Sequence, residues 1–124
     1  MKTNFEKNKI TEYSEVNIEN ILNSIYNEIA DRDKNPVENS YTNYLLNEGT
    51  NKICKKIGEE ATETVIAALS ETKDNLIGEI SDLIYHTLVL MYNKQVSIED
   101  IKLKLEERHK IKGNKKQFNK RGDY

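Results

Sequence analysis

Two carboxylates three residues apart, Glu79 and Asp82, stand in a stretch from Leu76 to Tyr92 that is otherwise almost wholly apolar. A second acidic set, Glu59, Glu60 and Glu63, lies just upstream on another helical pattern. Burying carboxylates is costly unless a cation offsets their charge, so the expected chemistry is that of a bound metal. On a helix, residues three or four apart share a face, which groups Glu60 with Glu63 and Glu79 with Asp82. Where two helices pack antiparallel, facing positions have numbers of constant sum. The pairs Glu63–Glu79 and Glu60–Asp82 share one such sum, and its midpoint is Glu71, in the polar run Glu71 to Asn75. One register therefore gathers all four acids. Two carboxylates about 5 Å apart at an effective dielectric of about 20 repel by roughly 3 kcal/mol. Four together stay ionised only beside a counter-ion; protonation is the other escape. All-oxygen ligands suit Mg²⁺, with Mn²⁺ as a substitute. Mg²⁺ usually takes few carboxylates and keeps several waters, so four acids suggest more than one ion or ligand oxygens shared with substrate phosphates.

A blander reading applies differently to the two halves. Glu59, Glu60 and Glu63 alone could be a solvated face offset by Lys52, Lys55 and Lys56 one turn back. Glu79 and Asp82 have no Lys or Arg one turn away, and their neighbours Ile80, Leu83, Ile84 and Leu88 demand burial. Lys52 and Lys56 share the glutamate face, and the same register sets Lys56 opposite His86. A cation beside a metal cluster suits polyphosphate oxygens, so Lys56 and Lys52 are candidate substrate contacts, although Lys52 could merely offset the glutamates. His86 is either a substrate contact or a hydrogen-bonded core histidine. Gly58 costs about 1 kcal/mol relative to alanine within a helix, which argues for a close approach there. Neither Glu63 nor Glu79 begins a Glu-x-x-His pair, against a ferritin-like di-iron site.

The elements that must position these residues are helices. The chain has 124 residues, enough for one domain, and its scarcity of Gly and Pro with abundant charge points to an all-α fold of four to five helices around a central antiparallel helical hairpin. Ser14 is expected to cap a first helix whose Ile18, Ile21, Leu22, Ile25 and Ile29 share a face, and which stops before Asn35-Pro36. Ser40 caps a short helix that turns Tyr41, Tyr44, Leu45 and Leu46 inward and ends at Gly49. A third helix, about Asn51 to Ser70, carries the stripe Ile53, Ile57, Ala61, Thr64 and Ala68. After the polar connection comes a central fourth helix, about Leu76 to Tyr92, apolar nearly all round. Ser97 with Asp100 forms a capping box for a fifth, through Ile101 and Leu105. Residues 1–13 read as a polar extension, 14–108 as the domain, and 109–124 as a basic tail, either solvated or a phosphate-contacting or dimer-embracing arm. A net charge of −2 does not suggest a nucleic-acid binder. The single cysteine, Cys54, allows no internal disulfide, fits a reducing compartment and reads as a packed or interfacial residue. With no signal-peptide core and no stretch pure enough for a membrane span, a cytoplasmic protein is expected.

Ser40-Tyr41-Thr42 followed by Leu45, then Gly49, Lys52-Ile53, Lys56-x-Gly58-Glu59-Glu60-Ala61-x-Glu63 and Glu79-x-x-Asp82-Leu83-x-Tyr85-His86 resemble the phosphoribosyl-ATP pyrophosphohydrolases of histidine biosynthesis, within the MazG-like all-α superfamily. The resemblance covers roughly Ile18 to Arg108. The four acids mark the superfamily; the Ser-Tyr-Thr triplet, the Lys-x-Gly and the Tyr-His are more specific. The resemblance implies Mg-dependent hydrolysis of phosphoribosyl-ATP to phosphoribosyl-AMP and pyrophosphate. It implies Glu60, Glu63, Glu79 and Asp82 as metal ligands, Glu59 positioning the attacking water or acting as base, and Lys56 on phosphates. Arg108, at the end of the fifth helix, is a further phosphate contact or a surface cation. The resemblance also implies a helical-bundle homodimer, which would cover the surplus apolar surface of the fourth helix. Ser81 stands where alanine is common in the family. The metal-binding cysteines and histidines of a fused cyclohydrolase are lacking, so the next step is expected on another polypeptide. Two other readings stay open: a house-cleaning nucleoside triphosphate pyrophosphohydrolase of the MazG-like type, and a non-enzymatic metal-binding helical dimer.

Overall fold

A computed structural model describes residues 16–114, and among them the fold is all-α. Helix α1 spans Ile18–Lys34, α2 Tyr41–Glu48, α3 Thr50–Ser70, α4 Lys73–Asn93 and α5 Ile98–Asn114. Helix α1 starts later than expected. Its cap is Asn17, whose side chain accepts the Asn20 N–H at 2.8 Å, while Ser14 and the extension 1–13 lie outside the described residues. It ends as the proline requires: the Asn35 N–H donates to the Asp31 carbonyl at 2.7 Å and the chain leaves the helical region before Pro36.

The loop to α2 is tied down by the buried Asn43. Its side-chain oxygen accepts the Val37 N–H at 2.8 Å, and its amide donates to the Arg32 carbonyl at 2.7 Å. Ser40 caps α2 as expected, accepting the Asn43 N–H at 3.1 Å. A single residue, Gly49, then ends α2 and begins α3. Its φ of +90° is one an L side chain rarely adopts, so glycine is required at this corner.

Helices α3 and α4 are joined by two residues and pack on each other more than any other pair. The expected polar connection Glu71 to Asn75 is mostly helix. Thr72 caps α4 by accepting the Asn75 N–H at 3.1 Å, and Asp74 in the first turn faces the positive end of the helix dipole. The core lies at the opposite end of this pair from the turn, where Ile29, Leu45, Ile53, Leu88 and Val89 close together beneath α1 and α2. Burying each such side chain contributes about 1.5–3 kcal/mol.

That placement leaves the turn-proximal half of α3 and α4 uncovered. Val65, Ile66 and Leu69 on α3 and Ile77, Ile80 and Ile84 on α4 are all exposed. Helix α4 is therefore central only in its second half, against the expectation for the whole helix. The α3 stripe also differs: its inward positions are Ile53, Ile57, Glu60, Thr64 and Ala67, while Ala68 is exposed. A spacing alternating between four and three keeps one seam against α4, and it brings an acid into the seam. Helix α5 opens with a reciprocal box, Asp100 accepting the Ser97 N–H at 2.9 Å and Ser97 Oγ accepting the Asp100 N–H at 3.0 Å. It runs beyond Leu105 and through the boundary expected at 108, to Asn114. Among the helices it touches α1 alone, helped by Lys102 and Glu19 at 3.7 Å. Residues 115–124 of the basic tail lie outside the described residues. No described helix is long and apolar enough to cross a membrane.

Candidate metal centre

The carboxylates meet where the packed half of α3 and α4 gives way to the bare half. Glu60 occupies the seam and is buried, Glu79 is half-buried and Asp82 exposed. One side-chain oxygen from each lies within 4.8 Å of the others. Oε1 of Glu60 and Oε1 of Glu79 are shielded from solvent, and neither has a hydrogen-bond partner among the described residues. Two orphaned anionic oxygens facing one another are unstable company unless a proton or a cation joins them.

The electrostatics agree with that geometry. Burial pushes the Glu79 carboxyl up to about 7, helped by close contact with and charge on Glu63 and then Glu60. Burial likewise raises Glu60, with the charges of Glu63 and Asp82 adding to it. Glu63 is exposed and lies beside Glu60 and Glu79, but it is not one of the three acids whose oxygens gather within 4.8 Å, so three of the four acids named from spacing share one cluster and the fourth adjoins it. The donor set is all oxygen, hard and anionic, which fits Mg²⁺ or Mn²⁺ and would satisfy both orphaned atoms.

Cations flank one side of this cluster. Lys56 Nζ is 3.3 Å from Glu59 Oε1, an ion pair one turn before Glu60, and contact with Glu59 raises the Lys56 pKa. Lys52, a further turn back, has its Nζ over the Tyr44 ring, 5.7 Å from the centroid, and the proximity of Tyr44 raises the Lys52 pKa. His86 is placed differently from a substrate contact. It is buried, with Nδ1 2.7 Å from the Asp82 carbonyl oxygen and Nε2 2.8 Å from the Tyr41 hydroxyl. A carbonyl only accepts, so Nδ1 carries the hydrogen and, in the neutral ring, Nε2 accepts from Tyr41. Both nitrogens are thus committed within the chain. Arg108 is not brought to the cluster either: it is exposed on α5, which packs on α1 and on neither acid-bearing helix.

Three further expectations are corrected. Tyr41 and Tyr44 do not turn inward; each is 44% exposed. A side chain added at Gly58 would meet nothing within 4 Å among the described residues, so none of them makes the expected close approach. Cys54 is exposed in the single chain, which removes the packed reading and leaves the interfacial one. Two features near the site carry no mark in the sequence spacing. Tyr85 hydrogen-bonds Thr42 beneath the His86 ring, and beyond it a cavity of about 330 Å³ is lined by Arg32, Ser40 and Thr42 among others. Their partners come from different helices, so only tertiary packing reveals them.

The family model for phosphoribosyl-ATP pyrophosphohydrolase matches residues 22–109, which include every acid of the cluster. A phosphoribosyl-ATP pyrophosphatase of Clostridium novyi is 53% identical over 96 residues, 77% of this chain and 87% of that protein. One of Clostridium acetobutylicum is 53% identical over 97 residues, 78% of this chain and 88% of that protein. The histidine biosynthesis bifunctional protein HisIE of Lactococcus lactis is 50% identical over 101 residues, 82% of this chain. The chain spans about half the length of that bifunctional relative, at 48%, and most of the length of the other two.

Proposed function

The chain belongs to the phosphoribosyl-ATP pyrophosphohydrolase family, and from that premise we propose that it hydrolyses phosphoribosyl-ATP to phosphoribosyl-AMP and pyrophosphate, the second step of histidine biosynthesis. The observation that carries the reading is the convergence of Glu60, Glu79 and Asp82, two of their oxygens buried without partners, next to the Lys56 and Lys52 ammonium groups. Such a site needs a ligand that brings positive charge to the acids and negative charge to the lysines. A metal-complexed polyphosphate does both.

In this reading Glu60, Glu63, Glu79 and Asp82 hold Mg²⁺. When bound, the ion would neutralise charge developing on the phosphate oxygens and make water a better nucleophile. Lys56 and Lys52 orient the chain of phosphates along α3. Capture of Lys56 by a phosphate oxygen loosens its pairing with Glu59, whose freed carboxylate is then in place to take the proton of the attacking water. Water attacks at the α–β phosphoanhydride, and pyrophosphate leaves. His86 acts from behind, fixing Tyr41 and the backbone at Asp82. Arg108 has no part in the single-chain site.

We place the working enzyme in the cytoplasm as a homodimer. The uncovered half of α3 and α4 supports a second copy, as does an apolar groove of about 740 Å³ between α1, α4 and α5, lined by Leu22, Leu88, Met91, Ile98, Ile101 and Leu105. The deciding experiment is incubation of the purified protein with phosphoribosyl-ATP and Mg²⁺. Pyrophosphate release well above background is expected; faster turnover of a deoxynucleoside triphosphate would select the house-cleaning reading instead. Metal binding without cleavage of either would leave only a binding protein.

A further inference from the structure

The exposed tyrosines on α2 are not accounted for by the metal centre. Large aromatic side chains gain most by burial, yet Tyr41 and Tyr44 each remain 44% exposed. They are also organised. Their rings stack with centroids 6.0 Å apart and planes inclined by 26°. The Tyr41 hydroxyl is held by Nε2 of the buried His86, whose other nitrogen is held by the Asp82 carbonyl, and the rings of Tyr41 and His86 meet edge to face at 5.7 Å. Tyr44 is held from the other side by Lys52.

The pair is therefore anchored to the turn of α4 that carries a cluster acid, and it is flanked by the two lysines that face phosphate. Along α3 the order is carboxylate cluster, Lys56 beside Tyr41, then Lys52 beside Tyr44. An aromatic surface with one ammonium over the Tyr44 ring and a second beside Tyr41 offers a nucleobase the open face of the pair and its phosphates the two cations. A solitary exposed aromatic needs no explanation; two stacked and cation-flanked, one of them hydrogen-bonded to a buried histidine, do.

We infer that the Tyr41–Tyr44 pair is the stacking platform for the adenine of the nucleotide substrate, with Tyr44 the specificity-determining side chain. This rests on the phosphoanhydride hydrolase reading, but the test separates the two. The chain has no tryptophan, so a Tyr44→Trp variant carries one reporter at the platform. Adenosine 5′-monophosphate should quench its fluorescence, and inorganic pyrophosphate should not; absence of quenching by the nucleotide overturns the platform whether or not phosphoribosyl-ATP is turned over. In steady-state assays, Tyr44→Leu should raise KM for phosphoribosyl-ATP about tenfold or more with kcat within about twofold, and Tyr44→Phe, which keeps the ring, should recover most of that loss in KM. Product inhibition by pyrophosphate should be unchanged in Tyr44→Leu. An unaltered KM in that variant, or an equal weakening of pyrophosphate, would mean that the ring supports Lys52 or a subunit contact and binds no base. Wild-type protein that releases no pyrophosphate from phosphoribosyl-ATP would sink the activity, while the fluorescence result would still decide the platform.

Discussion

Glu79 is the residue on which charge, fold and ligand compete most directly. Its carboxyl, raised to about 7 by burial and by Glu63 and Glu60, prefers the protonated form in the folded protein, whereas the unfolded chain releases that proton near 4.5. Between those values the native state binds more protons than the unfolded state, so the contribution of this group to stability falls as pH rises from about 4.5 to about 7 and then levels off. In metal-free protein, Glu79→Gln should therefore melt progressively higher than wild type as pH is raised through that window. A melting-temperature difference that shrinks with rising pH would contradict it. Added Mg²⁺ should reverse the order at pH 8, since ligation stabilises only the chain that keeps its carboxylate. By the same crowding, Glu63→Gln and Asp82→Asn should each lower turnover at least about a hundredfold while leaving helical circular dichroism intact. Either variant retaining near-normal turnover would remove that residue from the metal site. The acids were legible in the sequence because helical spacing and one antiparallel register suffice to converge them. His86 was legible in part, since the hydrogen-bonded core histidine was one of its two readings, but the exposure of Tyr41 and Tyr44 was not, because it depends on which flank of α2 meets α3 and α4.

At the scale of the element, most boundaries follow from caps, and three differ from those read off the sequence: the start of α1, the start of α4 and the end of α5. Ser14 and Asn17 both precede the apolar stripe of α1, and Asn17 wins because its side chain reaches the Asn20 N–H. The start of α4 was harder to read because a polar first turn looks like a loop. Thr72 with Asp74 makes it a helix start. Thr72→Ala should accordingly destabilise the chain by about 1 kcal/mol in urea unfolding without changing KM, since the cap lies at the far end of α4 from the lysines. A change below about 0.3 kcal/mol would mean that α4 frays to Leu76 and that the polar run is a connection after all.

For the whole molecule, the single chain is an incomplete solution to its own hydrophobicity. The core at one end of α3 and α4 is closed, but the other end exposes Leu69 at 81%, with Val65, Ile66, Ile77, Ile80 and Ile84 beside it. The backbone of helix α5 lies close to α1 alone among the helices, and Ile101, Leu103 and Leu105 remain exposed, Ile101 and Leu105 lining the open groove towards α4. Amphipathic periodicity signals that such residues will be covered; it does not say by which chain, which is why the fourth helix reads as wholly central from sequence and is central only in part. The unfilled space at Gly58 lies on the same flank of α3 as Val65 and Leu69, where a second copy could approach the backbone. A second copy in that position would bury Leu69. Leu69→Glu should then raise the dimer dissociation constant roughly 30-fold or more, the equivalent of about 2 kcal/mol for the two carboxylates, one from each copy, left unpaired in an apolar interface. Circular dichroism should survive, because Ile29, Leu45, Ile53 and Val89 close the core without that face. Sedimentation equilibrium of the two proteins across a dilution series reads the difference directly. Identical association of wild type and variant would move the interface off this half of the helices and leave the α1, α4 and α5 groove as the surface where the copies meet.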